Sequence, residues 1–460
     1  MLIEVKNLGV LKHAKFSLSN FTVICGNNNT GKTYATYAIF GFLTFWRDVF
    51  KISVDDSYVS QLLDQGTTTI DLLQYRQNAE TIISEGCKEY TNILPTIFAS
   101  APDKFYNTVF NVSLLAEDIN LNSQFNRIIR GASRAELFTI TKSKDSGLLV
   151  ITLLVSSETV EIPKESIISI ISDAIKEIIF GHLFPKPFIA SGERTGAAIF
   201  RKELNFARNR LLEQLSKSNK EIDPFDLLIK AYQDYALPVK ANVDFARDIE
   251  HSAKKSSFII EKCPNIVEFF DNIIDGKYTV TRNDELYYQP KGKKIRLTMD
   301  ESSSSIRSLL DIGFYVRHLA QQNDLLIVDE PELNLHPENQ RKIARLFAKL
   351  INIGVKVFIT THSDYLIKEL NTLIMLNQNK EHVKQIAVDE GYDTDELLSP
   401  DKIKVYIAEQ SLIKTDGLKK KTNCNTLTEA EITSELGIEV KSFDKTIDII
   451  NRIQEAIVWG

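Results

Sequence analysis

The chain has 460 residues, 43% of them hydrophobic and 25% charged, with 55 Lys+Arg against 61 Asp+Glu for a formal charge of −6. That length exceeds one typical domain, and the slightly acidic balance leaves no global basic footprint for nucleic acid. The four cysteines (Cys25, Cys87, Cys263, Cys424) lie far apart with no Cys-x-x-Cys, which argues against a zinc site or a disulfide framework and suits a reducing compartment.

Met1-Leu-Ile-Glu-Val-Lys reads as a strand without a signal-peptide pattern, so a cytoplasmic location is expected. Phe21–Cys25 is an apolar β-run leading into Gly26-Asn27-Asn28-Asn29-Thr30-Gly31-Lys32-Thr33. A strand before and a helical run after give Gly-x-x-x-x-Gly-Lys-Thr the context of a P-loop. Its backbone N–H groups wrap a phosphate chain, Lys32 reaches the β- and γ-phosphates of ATP, and the Thr33 hydroxyl holds Mg²⁺. Tyr34–Trp46 is apolar but too short to span a bilayer, fits a buried helix, and leads to no expectation of membrane contact.

The middle of the chain predicts mainly helices. Gln61–Phe98 has helical spacing, Glu136–Val155 reads as two strands around Lys144-Asp145-Ser146-Gly147, and Lys164–Ile179 is helical again. Past the segment 187–196, Phe200–Ser216 and Pro224–Tyr235 read as a helix pair, followed by helices at Val243–Lys255 and Asn265–Ile274. No heptad repeat is sustained, so a compact helical lid or short hairpin is expected. Tyr278–Leu297 reads as two strands joined at 290–294. The run Ser302-Ser303-Ser304-Ser305 before Ile306-x-x-Leu309-Leu310 reads as an N-cap and an amphipathic helix start.

Two aliphatic strands follow, each ending in polar residues. Asp324-Leu-Leu-Ile-Val-Asp329-Glu330 has the continuous apolar pattern of a buried parallel strand, whose carboxyl end lines a ligand crevice. There Asp329 can hold Mg²⁺ through water, and Glu330 can orient or deprotonate an attacking water. Lys356-Val-Phe-Ile-Thr-Thr361-His362 repeats the pattern; His362 is either functional or a satisfied structural histidine. The remaining segment suggests a strand at Ile403–Ala408 and helices at Leu427–Leu436 and Phe443–Ile457. Asp389–Glu396 reads as a solvated acidic turn, and the basic patches Lys291–Arg296 and Lys419–Lys421 as solvated loops.

In these three blocks, taken in this order, the chain resembles the ABC-type ATPases of the SMC, RecF and OLD group, whose compact members are often called simply AAA-family ATP-binding proteins. The implied fold is an α/β P-loop NTPase head with a mixed sheet, interrupted by a mainly helical insertion. Residues 1–50 would form the N-terminal half of the head, 51–274 the insertion with a Q-loop-like segment at 187–196, 275–380 the C-terminal half, and 381–460 an α/β extension. The resemblance makes Asp329 and Glu330 a Walker B pair and His362 the switch histidine. It also implies a homodimer or higher homo-oligomer, in which Ser303, Ser304 and Ser305 of one copy complete the ATP site of another. That serine run departs from the family's Leu-Ser-Gly-Gly-type signature, and a cap without a ligand stays open beside it. The Q-loop glutamine is missing. Ser-Gly-Glu193-Arg194 stands there instead, and similar segments in compact relatives imply a role for Glu193 and Arg194 near metal or phosphate, with a structural ion pair as the plainer alternative.

With no effector domain visible, the chain is similar to the ATPase halves of bacterial anti-phage modules, the Septu and PARIS ATPases among them. The resemblance implies an ATPase that controls a separate nuclease or toxin. A RecF-like repair ATPase with DNA or RNA contact, and a non-hydrolysing scaffold, remain alternatives.

Overall fold

The structure is a computed structural model that describes residues 1–115, 117–131, 135–155, 163–199, 235–281, 285–413, 421–439, 452–457 and 459. The helix pair expected between 200 and 235, Lys419-Lys420 and most of the expected helix 443–457 lie outside the described residues. The chain divides into two units. One comprises Met1–Ile3, Phe42–Asn92 and Phe110–Pro185; the other comprises Glu4–Gly41, Ile93–Val109 and Lys186–Gly460.

The strands, in chain order, are β1 (Leu2–Leu8), β2 (Leu11–Ser17), β3 (Phe21–Gly26), β4 (Thr67–Asp71), β5 (Val109–Ser113), β6 (Phe125–Arg130), β7 (Glu136–Lys142), β8 (Leu148–Leu153), β9 (Pro187–Ala190), β10 (Gly276–Val280), β11 (Leu286–Pro290), β12 (Leu325–Asp329), β13 (Lys356–Thr361), β14 (Ile403–Ile413) and β15 (Thr422–Glu429). In the larger unit, eight strands run in the order β1-β2-β15-β14-β3-β13-β12-β9. The stretch β14-β3-β13-β12-β9 is parallel throughout, with Tyr406 beside Ile24, Ile24 beside Thr360, Thr360 beside Asp329, and Val328 beside Ala190. All of β3 and β12 is buried, which is why both read as mainly apolar runs. Because these strands point the same way, residues just past Gly26, Ala190, Asp329 and Thr361 emerge at one edge, where ligands of open α/β sheets bind.

Helices cover this sheet. Pro337–Asn352 starts with His336 as N-cap and proline in its first turn, and buries Ile343, Leu346, Phe347 and Leu350. Asp364–Met375 is capped by Ser363, whose Oγ accepts from Leu366 N at 3.2 Å. Both helices contribute to one apolar core with Val23, Val328, Val357 and Val405.

Within the segment 381–460, β14 lies directly beside the P-loop strand, and β15 pairs with β14 from Tyr406–Glu429 to Ile413–Thr422. Leu427, expected in a helix, lies in β15. β11 pairs with β10, and past Pro290 the turn 290–294 brings Leu297 back against Tyr288 in an antiparallel bridge, their N–H groups donating to each other's carbonyls at 2.8 and 2.9 Å.

The smaller unit carries the expected helices, among them Asp56–Gln65 and Lys164–Phe180. It holds an antiparallel sheet in the order β4-β8-β7-β6, including the expected pair β7–β8. β4 interrupts what reads as helix between 61 and 98; Gly66, at φ 74°, ends the preceding helix in a left-handed turn. Beside this sheet the unit packs Phe42, Trp46, Phe50, Tyr90, Phe110, Phe180 and Phe184, with centroids 4.7–6.3 Å apart. Offset and edge-to-face ring pairs of this kind add to the burial energy.

Candidate nucleotide site

The P-loop is held in shape by backbone that only certain residues tolerate. Gly26 has φ +141° and Gly31 φ +102°. A Cβ at Gly26 would lie 2.4 Å from the Ala408 carbonyl oxygen, and one at Gly31 would lie 2.5 Å from Leu11 Cγ. Asn29 takes the left-handed region at φ 63°, and Thr30 Oγ1 donates to Asn27 O at 2.8 Å. Asn27, Asn28 and Asn29 are exposed, as is Thr33 one position after the helix begins at Lys32.

Lys32 is buried, and its ammonium donates to Gly26 O (2.9 Å) and Asn27 O (2.8 Å). Burial pulls its pKa down, while the charges of Glu330, Asp329 and Glu332 act the other way. Three carboxylates thus share the field of one buried cation.

Asp329 ends β12 fully enclosed. One carboxylate oxygen accepts from Thr360 Oγ1 on the neighbouring strand, and the other faces Gly192, where a Cβ would stand 3.8 Å away. Burial pushes its pKa up to about 6; the Thr360 bond lowers it and Glu330 raises it. A buried carboxylate disfavoured in its charged form, with an exposed Thr33 hydroxyl on the P-loop helix, is the hard-oxygen chemistry that a magnesium ion fits.

Glu330 has φ 52°, a left-handed conformation uncommon for a residue with a long side chain, and its N–H donates to Thr360 O at 3.1 Å. Its partly exposed carboxylate lies 3.5 Å from His362 Nδ1. Strain of this kind is stored at functional sites. His362 Nδ1 also lies 3.3 Å from Glu332 Oε1, and that oxygen accepts from His362 N and Thr361 Oγ1, both at 2.8 Å. Glu332 is buried, with Oε2 lacking a hydrogen-bond partner in the structure. In the sequence its one signal is a second carboxylate two residues after Glu330.

Arg194 turns its guanidinium inward, 1% exposed, and bonds it to backbone carbonyls, two of them those of Asp329 and Glu330. Glu193 accepts from Tyr37 Oη at 3.1 Å, on the helix that follows the P-loop. Ser303 caps a short helix, Ser304–Ser308, and its Oγ lies 2.8 Å from Ser305 Oγ; Ser303 and Ser304 are exposed and Ser305 half-buried. The contribution of β14 and β15 was also missed: with Gly26–Thr30 they line a cavity of about 480 Å³ through Ile407, Ala408, Glu409, Gln410 and Asn425.

A P-loop between β3 and a helix, with an Asp-Glu pair and a histidine on the next parallel strand ends, defines an α/β P-loop ATPase fold. Residues 1–367 match the AAA ATPase domain family, and the chain belongs to that family. No curated protein matches it. Among solved structures, an SmcHead bound to the C-winged helix domain of ScpA is 12% identical, over 92% of this chain and 97% of that one, with a TM-score of 0.32. An Smc head with an extended coiled coil, bound to the C-terminal domain of ScpA and derived from Pyrococcus furiosus, is 14% identical over 98% of each chain at 0.31. The SMC head domain from Thermotoga maritima is 9% identical over 94% and 98% at 0.30. TM-scores this low carry no weight for function. Among the described residues no helix is long and apolar enough to cross a membrane.

Proposed function

We propose that the chain binds and hydrolyses ATP, and that it uses nucleotide state to control a separate effector protein, a nuclease or toxin, in bacterial anti-phage defence. The observation that carries the ATPase reading is the convergence of Lys32, Asp329, Glu330 and His362 at one edge of a parallel sheet. The P-loop N–H groups and Lys32 cradle the triphosphate. Glu330 takes or orients the proton of the attacking water, and His362, aligned by Glu332, senses the γ-phosphate. A magnesium ion held by Thr33, and through water by Asp329, would neutralise phosphate charge. The cavity between the P-loop and the β14–β15 pair would take the base and ribose, with the amides of Gln410 and Asn425 offering donors and acceptors.

The exposed Ser303 and Ser304, with the half-buried Ser305 beside them, support a site shared between copies, as a homodimer or larger homo-oligomer. ATP and Mg²⁺ should then strengthen self-association, and Glu330→Gln should trap it, as read by light scattering. A chain that remains monomeric at high concentration with ATP yet hydrolyses it would remove the shared site from this reading.

The second reading, a repair ATPase acting on DNA ends or gaps, is favoured by one feature. Lys277, Lys291, Lys293 and Lys294 surround a cavity of about 590 Å³ beside the β10–β11 pair, although Glu268 and Asp271 line it too. Salt-dependent DNA binding lost on replacing these lysines would support it.

A further inference from the structure

Arg194 has a buried guanidinium with four directed bonds, and neither a charge partner for phosphate nor a space-filling role accounts for it. Nε donates to Ser308 O at 2.7 Å, one Nη to Ser191 O at 2.9 Å and Asp329 O at 2.6 Å, and the other Nη to Glu330 O at 2.8 Å. The acceptors come from three places: the end of β9, the end of β12, and the last turn of the serine-capped helix. Burying a guanidinium is costly unless its donors are satisfied, and burial indeed lowers its pKa. The surrounding polar groups are built to receive it. Asn242 accepts from Ser191 N at 2.9 Å and donates to Ile189 O at 2.6 Å and to the buried Asp311 carboxylate at 2.9 Å.

We propose that Arg194 is a positioning residue that ties the serine-capped helix to the Asp329–Glu330 backbone and so holds the Glu330 carboxylate in its working orientation. The left-handed Glu330 needs support from its surroundings. Thr360 O takes its N–H, and Arg194 holds the carbonyls of Asp329 and Glu330 on either side of that residue. One planar fork joining Ser308 O to both carbonyls means that a shift of the serine cap is felt at Glu330. A lysine, with a point charge on a flexible stem, cannot span the same acceptors. This inference rests on the reading of Glu330 as the residue that acts on water.

The test compares R194K, R194Q, E330Q and R194K/E330Q in the full chain. Readouts are affinity for a non-hydrolysable ATP analogue, kcat, KM and circular dichroism. R194K should stay folded, keep analogue affinity and KM within about 3-fold, and lose about 100-fold in kcat, the scale of losing one preorganising donor. In the E330Q background R194K should add nothing, because Arg194 acts through Glu330. Equal slowing in both backgrounds, or loss of fold in both R194K and R194Q, would overturn the proposal, since either makes Arg194 a general structural residue. E330Q inactive beside an unimpaired R194K overturns this inference alone. Wild-type turnover in E330Q removes the reading of Glu330, and this proposal with it.

Discussion

Two lysines, one in each unit, are buried in the same way and serve different ends. Lys142 at the end of β7 is 2% exposed, and its ammonium donates to the carbonyls of Leu121, Ser123 and Ser143. Lys32 is 6% exposed and also donates to backbone carbonyls, those of Gly26 and Asn27. Burial lowers the pKa of both. What separates them is the surrounding charge: Lys142 has Asp145, whereas Lys32 has Glu330, Asp329 and Glu332 on parallel strand ends. A buried lysine therefore identifies nothing by itself. A buried lysine in the field of several strand-end carboxylates is a candidate functional group, and the proposed reading gives it a polyanion and its metal to bind.

That contrast can be broken by exchanging the outcomes. Lys32→Ala should abolish ATP binding and lower turnover by at least about 10³-fold, the scale of removing a phosphate-clamping charge, with little loss of stability. Lys142→Met should do the reverse. It leaves three carbonyls without their donor and should cost about 2–3 kcal/mol in chemical unfolding, while kcat per folded molecule stays unchanged. ATP affinity lost in Lys142→Met, or kept in Lys32→Ala, would erase the distinction.

A smaller effect sharpens it through pH. In the folded chain Asp329 is pushed up to about 6 from its ordinary 3.8. A raised carboxyl pKa means stability that is complete below about 4 and is lost as pH rises through about 6, because the unfolded chain ionises more readily. Without nucleotide or metal, Asp329→Asn should therefore melt higher than wild type at pH 8, by on the order of 2 kcal/mol, and alike at pH 4. Asp311, raised by burial to about 7, is common to both proteins and cancels in the difference. A variant no more stable than wild type at pH 8 would mean that the Asp329 carboxylate is at ease without a cation.

The legible parts of the chain were those whose signal is local. β3, β12 and β13 are almost wholly buried, so each carries a mainly apolar run, and the polar residues that follow are the candidate site. The Gly-x-x-x-x-Gly-Lys-Thr spacing fixed the loop because its glycines meet Leu11 and Ala408 at distances no side chain permits. What escaped was set by distant partners. Ile403–Ala408 alternates like a strand, but only its pairing with β3, some 380 positions earlier, puts Glu409 and Gln410 beside the P-loop. β4 is Thr-Thr-Thr-Ile-Asp, whose strand signal is β-branching without a long apolar run, and it is placed by β8. For Arg194 the sequence offers only the likeness of its segment to those of compact relatives; its inward turn depends on carbonyls from β12 and the serine-capped helix.

Hydrolysis at this strand end depends most directly on Glu330, the left-handed residue beside His362. Affinity for ATP and phosphate release should be measured side by side on wild type and Glu330→Gln. The amide keeps the size and the left-handed backbone but cannot accept the proton, so the variant should bind ATP within a few-fold of wild type and release phosphate at roughly 1% of its rate or less. Phosphate release at the wild-type rate would contradict the assignment of hydrolysis to this strand end.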